Sequence, residues 1–192
     1  MNLSKKLLSI FAFSIAGLSS PVLAEDASKG IYASSFIGGT QVTDIDFGSL
    51  GTLGFDAGLA VQGGLGYDFG RFRIEGMYGR SGSDFENTTT SSGFVDLVSS
   101  GWVANALVDF TNDSKFITSL GLGIGSTKLE VTGADDTVQN TDLIAVVAYE
   151  LADRSYLDLK YTYRLYDDIT LGAIKISDAS SQGLLAGLRF AF

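Results

Sequence analysis

Residues 57–79 read AGLAVQGGLGYDFGRFRIEGMYG, and this stretch decides the fold. Up to Gly70 its odd positions are Ala57, Leu59, Val61, Gly63, Leu65, Tyr67 and Phe69, whereas the even ones are Gly58, Ala60, Gln62, Gly64, Gly66 and Asp68. After Gly70 the parity resets, so that Phe72, Ile74, Gly76 and Tyr78 alternate with Arg71, Arg73, Glu75, Met77 and Gly79. Apolar residues recurring every second position mark β-strands with two unlike faces, and the reset marks a tight hairpin at Asp68-Phe69-Gly70-Arg71.

The same period continues downstream. Trp102, Ala104, Ala106, Val108 and Phe110 oppose Val103, Asn105, Leu107 and Asp109. Phe116, Thr118, Leu120, Leu122 and Ile124 oppose Ser119, Gly121, Gly123 and Gly125. Leu143, Ala145, Val147, Tyr149 and Leu151 form the next apolar face, then Leu157, Leu159, Tyr161, Tyr163 and Leu165, and last Leu184, Ala186, Leu188, Phe190 and Phe192. A first strand near 30–40 has no clear facing, because Ile31, Tyr32, Phe36 and Ile37 fall on both parities. The reading is eight strands joined alternately by tight turns and by long polar connections at 41–55, 83–98, 129–140 and 167–180. Long connections at one end and short ones at the other fit an all-β, antiparallel up-and-down barrel in which the first strand meets the last.

The charges decide which face is wet. Arg73, Glu75, Asp158, Lys160, Arg164 and Arg189 share the polar parity with many glycines, and the opposite parity is Leu, Val, Ala, Phe and Tyr almost throughout. In water that second face would be an apolar belt far larger than soluble proteins expose. In a membrane it meets lipid, and the charged face lines the lumen. Tyr67, Phe69, Phe72, Phe110, Phe116, Tyr149, Phe190 and Phe192 lie on the apolar parity at the short-turn ends, the placement of a membrane aromatic girdle. Tyr78, Trp102 and Tyr163 are candidates for a thinner opposite girdle.

Composition removes most other classes. The 192 residues contain no histidine and no cysteine, which excludes histidine-based nucleophile systems, thiolate metal sites and disulfides. With 22 acidic against 13 basic groups the chain lacks the basic footprint of a nucleic-acid binder. Lys5 and Lys6, the apolar run from Leu7 to Leu18 and Val22-Leu23-Ala24 read as a signal peptide over residues 1–24, which leaves 25–192 as one barrel domain. The longest apolar stretch after it, Leu143 to Tyr149, is too short for a spanning helix.

The segments GGLGYDFGRFRIEGMYG (63–79), FITSLGLGIG (116–125), AYELADRSYLDLKYTYR (148–164) and GLLAGLRFAF (183–192) resemble the small eight-stranded outer-membrane barrels of Gram-negative bacteria. The resemblance is to the porin-family or opacity-like surface antigens, related in design to the OmpA transmembrane domain. It implies a cell-envelope protein among outer-membrane lipid and lipopolysaccharide, monomeric, with Phe192 as part of the signal read by the barrel-assembly machinery. Enzymes of this barrel type use a histidine, which this chain does not have.

An eight-stranded lumen is about wide enough for side chains to fill, and charges inside it must pair or stay hydrated. Glu75 with Arg73, and Asp158 with Lys160 and Arg164, could form an acid/base site or a narrow polar conduit, but a structural salt-bridge network of these groups is the expectation, with Arg189, near the first and the seventh strand, as its closing partner. The long connections or their roots hold Asp44, Asp46, Asp56, Asp84, Glu86, Asp96, Glu130, Asp135, Asp136, Asp142, Asp167, Asp168 and Asp178, with few cations beyond Lys128 and Lys175. Their pairs lack a full calcium-loop signature, so solvated charge is the expectation, with no metal and no cofactor. The functional expectation is a non-enzymatic barrel that displays acidic loops in an envelope-structural or adhesion role, with a host or cell-surface ligand. The alternative is a small channel or carrier for ions or hydrophobic molecules.

Overall fold

Strand follows strand through the described residues because nearly every segment alternates and the sequence after Ala24 contains no proline to break a ladder. The computed structural model describes residues 29–43, 45–46, 52–55, 57–86, 96–111, 115–131, 134–171, 174–177 and 179–192. The expected signal segment, residues 1–24, lies outside them. The strands are β1 (Gly30–Val42), β2 (Ile45–Asp46), β3 (Thr52–Phe55), β4 (Gly58–Asp68), β5 (Phe72–Glu86), β6 (Asp96–Thr111), β7 (Phe116–Val131), β8 (Ala134–Ala152), β9 (Ser155–Tyr166), β10 (Ile169–Leu171), β11 (Ile174–Ile176) and β12 (Ser180–Ala191).

Eight of these close a barrel in which each strand pairs antiparallel with its successor, in the order β1, β4, β5, β6, β7, β8, β9, β12 and back to β1. Closure runs from Tyr32 opposite Ala191 to Val42 opposite Ser181. No barrel edge is left to pair with another chain. The four short strands lie at the long-connection end, where β2 pairs with β3 and β10 with β11.

At the short-turn end the sequence supplies the turn chemistry. Gly70 has φ +101°, a conformation open to glycine, and its N–H donates to Asp68 Oδ1 at 2.7 Å. Around the wall the parity holds. Leu59, Leu65, Phe72, Trp102, Ile124, Leu159 and Phe192 face outward and exposed, while Arg73, Asp109, Ser119, Asp158 and Arg189 are buried inside.

Two expectations change. On the first strand Tyr32 and Phe36 point inward and Ile31 and Ile37 outward, so the mixed parity reflects two aromatic rings used to fill the lumen. The Tyr32 ring lies so close to β4 that a Cβ at Gly66 would collide with it. The polar segment 129–140 is not a loop, since β7 runs to Val131 and β8 begins at Ala134. Beyond the apolar band a ladder in water needs no greasy outer face, and Leu129, Val131 and Val138 still give the inner face an apolar contact.

Candidate functional site

The lumen is built in four layers by inward-facing residues of all eight barrel strands. Nearest the short turns, Tyr32 sits between the guanidinium groups of Arg73 and Arg189, whose carbons are 5.6 and 5.7 Å from its ring centroid. The Tyr32 hydroxyl donates to Glu75 Oε2 at 3.0 Å, and Asn105 Nδ2 donates to Glu75 Oε1 at 2.8 Å. Arg73 Nε donates to Asp109 Oδ2 at 2.8 Å and its Nη2 to Ser119 Oγ at 3.0 Å. Arg189 Nε donates to Asp158 Oδ2 at 3.0 Å, and its guanidinium stacks 4.1 Å from the Tyr156 ring centroid. Asp109 Oδ1, Asp158 Oδ1 and Arg189 Nη2 have no protein partner among the described residues, capacity that ordered water satisfies in buried polar sites.

Above this layer lies an apolar belt made of Phe36, Ala60, Met77 and Leu185 on one side and Leu107, Ile144 and Val146 on the other. Lys160 crosses it with its ammonium 4.1 Å from the Phe36 ring centroid and donates to Gln62 Oε1 at 2.7 Å. The third layer is polar again. Arg164 grips Asp142 with both Nε and Nη2, at 2.8 and 2.7 Å, and Asn140 Nδ2 donates to Asp142 Oδ1 at 2.9 Å. Thr127 Oγ1 donates to Asn140 Oδ1 at 2.9 Å. Between Lys160, Arg164, Thr162 and the Ser81–Ser99 hydroxyl pair is a chamber of about 50 Å³. That is room for a few water molecules.

The fourth layer is an apolar cap. Leu97, Leu129, Val138, Ile169, Ile176 and Ala179 are buried together, with Val42, Val131 and Tyr166 packed against them. The β10–β11 hairpin supplies Ile169 and Ile176, and Asp136 Oδ2 fixes it by accepting the Thr170 N–H at 2.6 Å. Among the acidic candidates Asp136 is therefore an anchor, and Asp142 is a buried partner of Arg164 rather than a rim charge. Lys128 lies 2.8 Å from Glu130 and 3.6 Å from Asp135 on the surface. The hydrogen bond to Glu130, reinforced by Asp135, raises the Lys128 pKa, and the same bond lowers that of Glu130. The side chains of Asp44, Asp46, Asp56, Asp84, Glu86, Asp96, Lys175 and Asp178 lie outside the described residues.

All six expected luminal charges face inward, but the expected partnerships change. Arg73 bonds to Asp109 and not to Glu75, Asp158 to Arg189 and not to Lys160 or Arg164, and Arg164 to Asp142. The reason is geometric: Glu75 follows Arg73 by two residues, which places the pair ~7 Å apart along one strand. A directly opposed position is nearer, at ~5 Å, and a diagonal one, at ~7–8 Å, is as near for a long arginine, while both Glu75 oxygens are taken by Tyr32 and Asn105. Asp142 is directly opposite Arg164, and Asp109 is diagonal to Arg73, two residues past its partner Leu107. Parity had already placed Asp109, Asn105 and Ser119 on the inner face. That was the signal for them.

Outside, aromatic contacts run along the short-turn end, with Tyr67–Phe69 centroids at 4.6 Å, Phe69–Phe72 at 5.9 Å and Phe116–Tyr149 at 5.0 Å. Phe190 and Phe192 are exposed at the same end, and Phe110 is half-buried. Toward the other end Tyr78 and Trp102 pair at 4.7 Å.

A family model described as the outer membrane protein beta-barrel domain matches residues 10–192. No curated protein matches the chain. Among solved structures, Neisserial surface protein A is similar at 22% identity and TM-score 0.61, over 86% of this chain and 100% of that one. The outer membrane protein AlkL, solved in DMPC lipid bilayers, is similar at 15% identity and TM-score 0.53, over 91% and 97% of the two chains. Ail, the attachment invasion locus protein of Yersinia pestis, reaches 15% identity and TM-score 0.49 over 86% and 100%. For the first two, at these identities, the likeness is one of fold.

Proposed function

The chain belongs to the outer membrane protein β-barrel family of the Gram-negative outer membrane, and from that premise we propose that it is a non-enzymatic scaffold displaying its acidic outer end at the cell surface, in an envelope-structural or adhesion role. The observation that supports this reading is the filling of the lumen. Arg73, Tyr32 and Arg189 interlock across the inner end, an apolar belt follows, and Leu97, Leu129, Val138, Ile169 and Ile176 pack together at the outer end. A rigid wall carrying its long connections at one rim suits binding by those connections. Glu130, Asp135, Asp136, Asp167 and Asp168 give that rim an excess of negative charge over Lys128 and Arg80. The ligand class that fits is a cationic host or cell-surface partner. The absence of histidine from the sequence supports a role without acid–base catalysis of the usual kind.

In the same reading residues 1–24 are a signal peptide, Phe192 is read by the barrel-assembly machinery, and the mature protein is a monomer among phospholipid and lipopolysaccharide. Mass measurement of the mature N-terminus tests the first of these, with Glu25 as the expected first residue.

A second reading, a narrow conduit for ions or small molecules, is favoured by the polar chamber of about 50 Å³ beneath the cap. Planar-bilayer recording of the refolded protein separates the two. Silence, together with cell binding that disappears when the outer connections are exchanged, supports display. Reproducible unitary openings support conduction.

A further inference from the structure

The lipid-facing wall carries a pit with a charged threshold, and the two features together name a ligand. On four consecutive strands the outward residues form registered rows, Leu65–Gly76–Ala104–Ile124 and, one step toward the short turns, Tyr67–Ile74–Ala106–Leu122. Tall side chains at the ends of the first row flank a floor of Gly76 and Ala104, and Ala106 extends the floor into the second. Nothing lies within 4 Å of where a Gly76 side chain would begin. The resulting hollow has a volume of about 860 Å³, is walled almost wholly by carbon, and reaches Ile31 on β1.

Its lower end opens on the β4–β5 turn. Tyr67 and Ile74 line the hollow, and the exposed pair Phe69 and Phe72 follows them toward the turn tip, where Arg71 is exposed. The Lys29 side chain lies over Gly70 of the same turn. Arg71 is three residues from Ile74, or about 10 Å along the strand, the span between an interfacial headgroup and the first part of its chain. Charge at this end runs against the composition of the protein. Among the described residues it exposes Lys29, Arg71, Lys115 and Arg154 against Asp153 and the half-buried Glu150, while the opposite rim is acidic.

We infer that this is a binding site for one anionic glycerophospholipid of the periplasmic leaflet, its phosphate at Lys29 and Arg71 and an acyl chain in the pit over Gly76, Ala104 and Ala106. An apolar hollow alone would take any chain, but a hollow that begins beside two exposed cations selects a negative headgroup. The girdle residues Tyr67, Phe69 and Phe72 fix the depth at which the headgroup sits.

Native mass spectrometry of the full-length protein tests this, after refolding in vesicles of phosphatidylethanolamine and phosphatidylglycerol at roughly 4:1 and release into mild detergent. The expected result is one retained phosphatidylglycerol, in excess of its share of the bilayer. K29Q and R71Q should each lower that preference on the order of fivefold while still retaining lipid of either kind. A104L fills the floor and should reduce retention of both lipids, whereas A145L, on the outward face of β8, should not. Retention in proportion to bilayer composition, or retention untouched by A104L, overturns the site. A dimer that A104L abolishes also overturns it, by making a second copy of the chain the occupant.

Discussion

Arg189 on β12 donates to Asp158 on β9 at 3.0 Å, and both side chains are at most 3% exposed. The pair links the last strand to its neighbour inside the wall, and the Arg189 guanidinium also faces Tyr32 on the first strand. One residue thus spans the seam at which the barrel closes. Arg189→Ala leaves a buried carboxylate without its counter-ion and should cost about 3–5 kcal/mol. The double replacement Arg189→Met with Asp158→Leu, which removes both charges, should recover most of that loss. Urea titration in detergent, followed by the heat-dependent gel shift of the folded barrel, reads both. A single variant as stable as the wild type would remove the seam from the account of stability.

Tyr32 owes its position to Gly66. A methyl group at residue 66 would meet the Tyr32 ring, whereas one at Gly76 would meet nothing within 4 Å. Gly66→Ala should therefore destabilise by about 1–3 kcal/mol, the usual cost of overpacking, and Gly76→Ala should leave stability close to that of the wild type. Equal effects in the same unfolding assay would contradict the inward packing of the ring.

Much of this architecture is legible in the sequence because a strand has a fixed period and a membrane barrel has two unlike solvents. Parity alone assigns Arg73, Glu75, Asp158, Lys160, Arg164 and Arg189 to the lumen and Tyr67, Phe69 and Phe116 to the lipid. It cannot choose partners. Arg73 and Asp109 are 36 residues apart, and which of several inward carboxylates falls beside Arg73 depends on strand register, which no single segment encodes. The first strand was ambiguous for another reason. Its lumen-facing Tyr32 and Phe36 are as apolar as its lipid-facing Ile31 and Ile37, because a narrow lumen fills with whatever volume fits. The cap was hidden in a segment whose Thr and Asp residues imitate a loop, although Leu129, Val131 and Val138 keep the inward period.

Ile169 and Ile176 are buried in the apolar cluster at the outer end, and Ser99 lines the polar chamber. The natural chain has no cysteine, so a single Ser99→Cys makes a clean reporter of access. In that background Ile169→Ser with Ile176→Ser should raise the rate of labelling by a water-soluble maleimide by about tenfold or more, since each serine removes apolar burial worth ~1.5–3 kcal/mol from the cap. Labelling at the same rate with and without the cap substitutions would mean that the chamber is reached by another route. The result also bears on conduction, since a chamber that stays closed to a small reagent is no open passage for ions.

Leu159 is half exposed on the outer wall of β9, while its neighbours Asp158 and Lys160 are each 2% exposed inside. The contrast tests which solvent each face meets. An arginine on a lipid-facing strand position costs about 2–4 kcal/mol near the bilayer midplane and little near the interfaces. In water an exposed leucine replaced by arginine changes stability by less than about 0.5 kcal/mol. Leu159→Arg should therefore lower the unfolding free energy by ~2–4 kcal/mol in phospholipid bilayers, and Phe192→Arg, at the girdle, by no more than about 1 kcal/mol. Matching small effects at both positions would require the apolar face to be in water, which the exposed belt formed by Leu59, Leu65, Ile74, Leu157 and Leu184 makes untenable for a soluble chain.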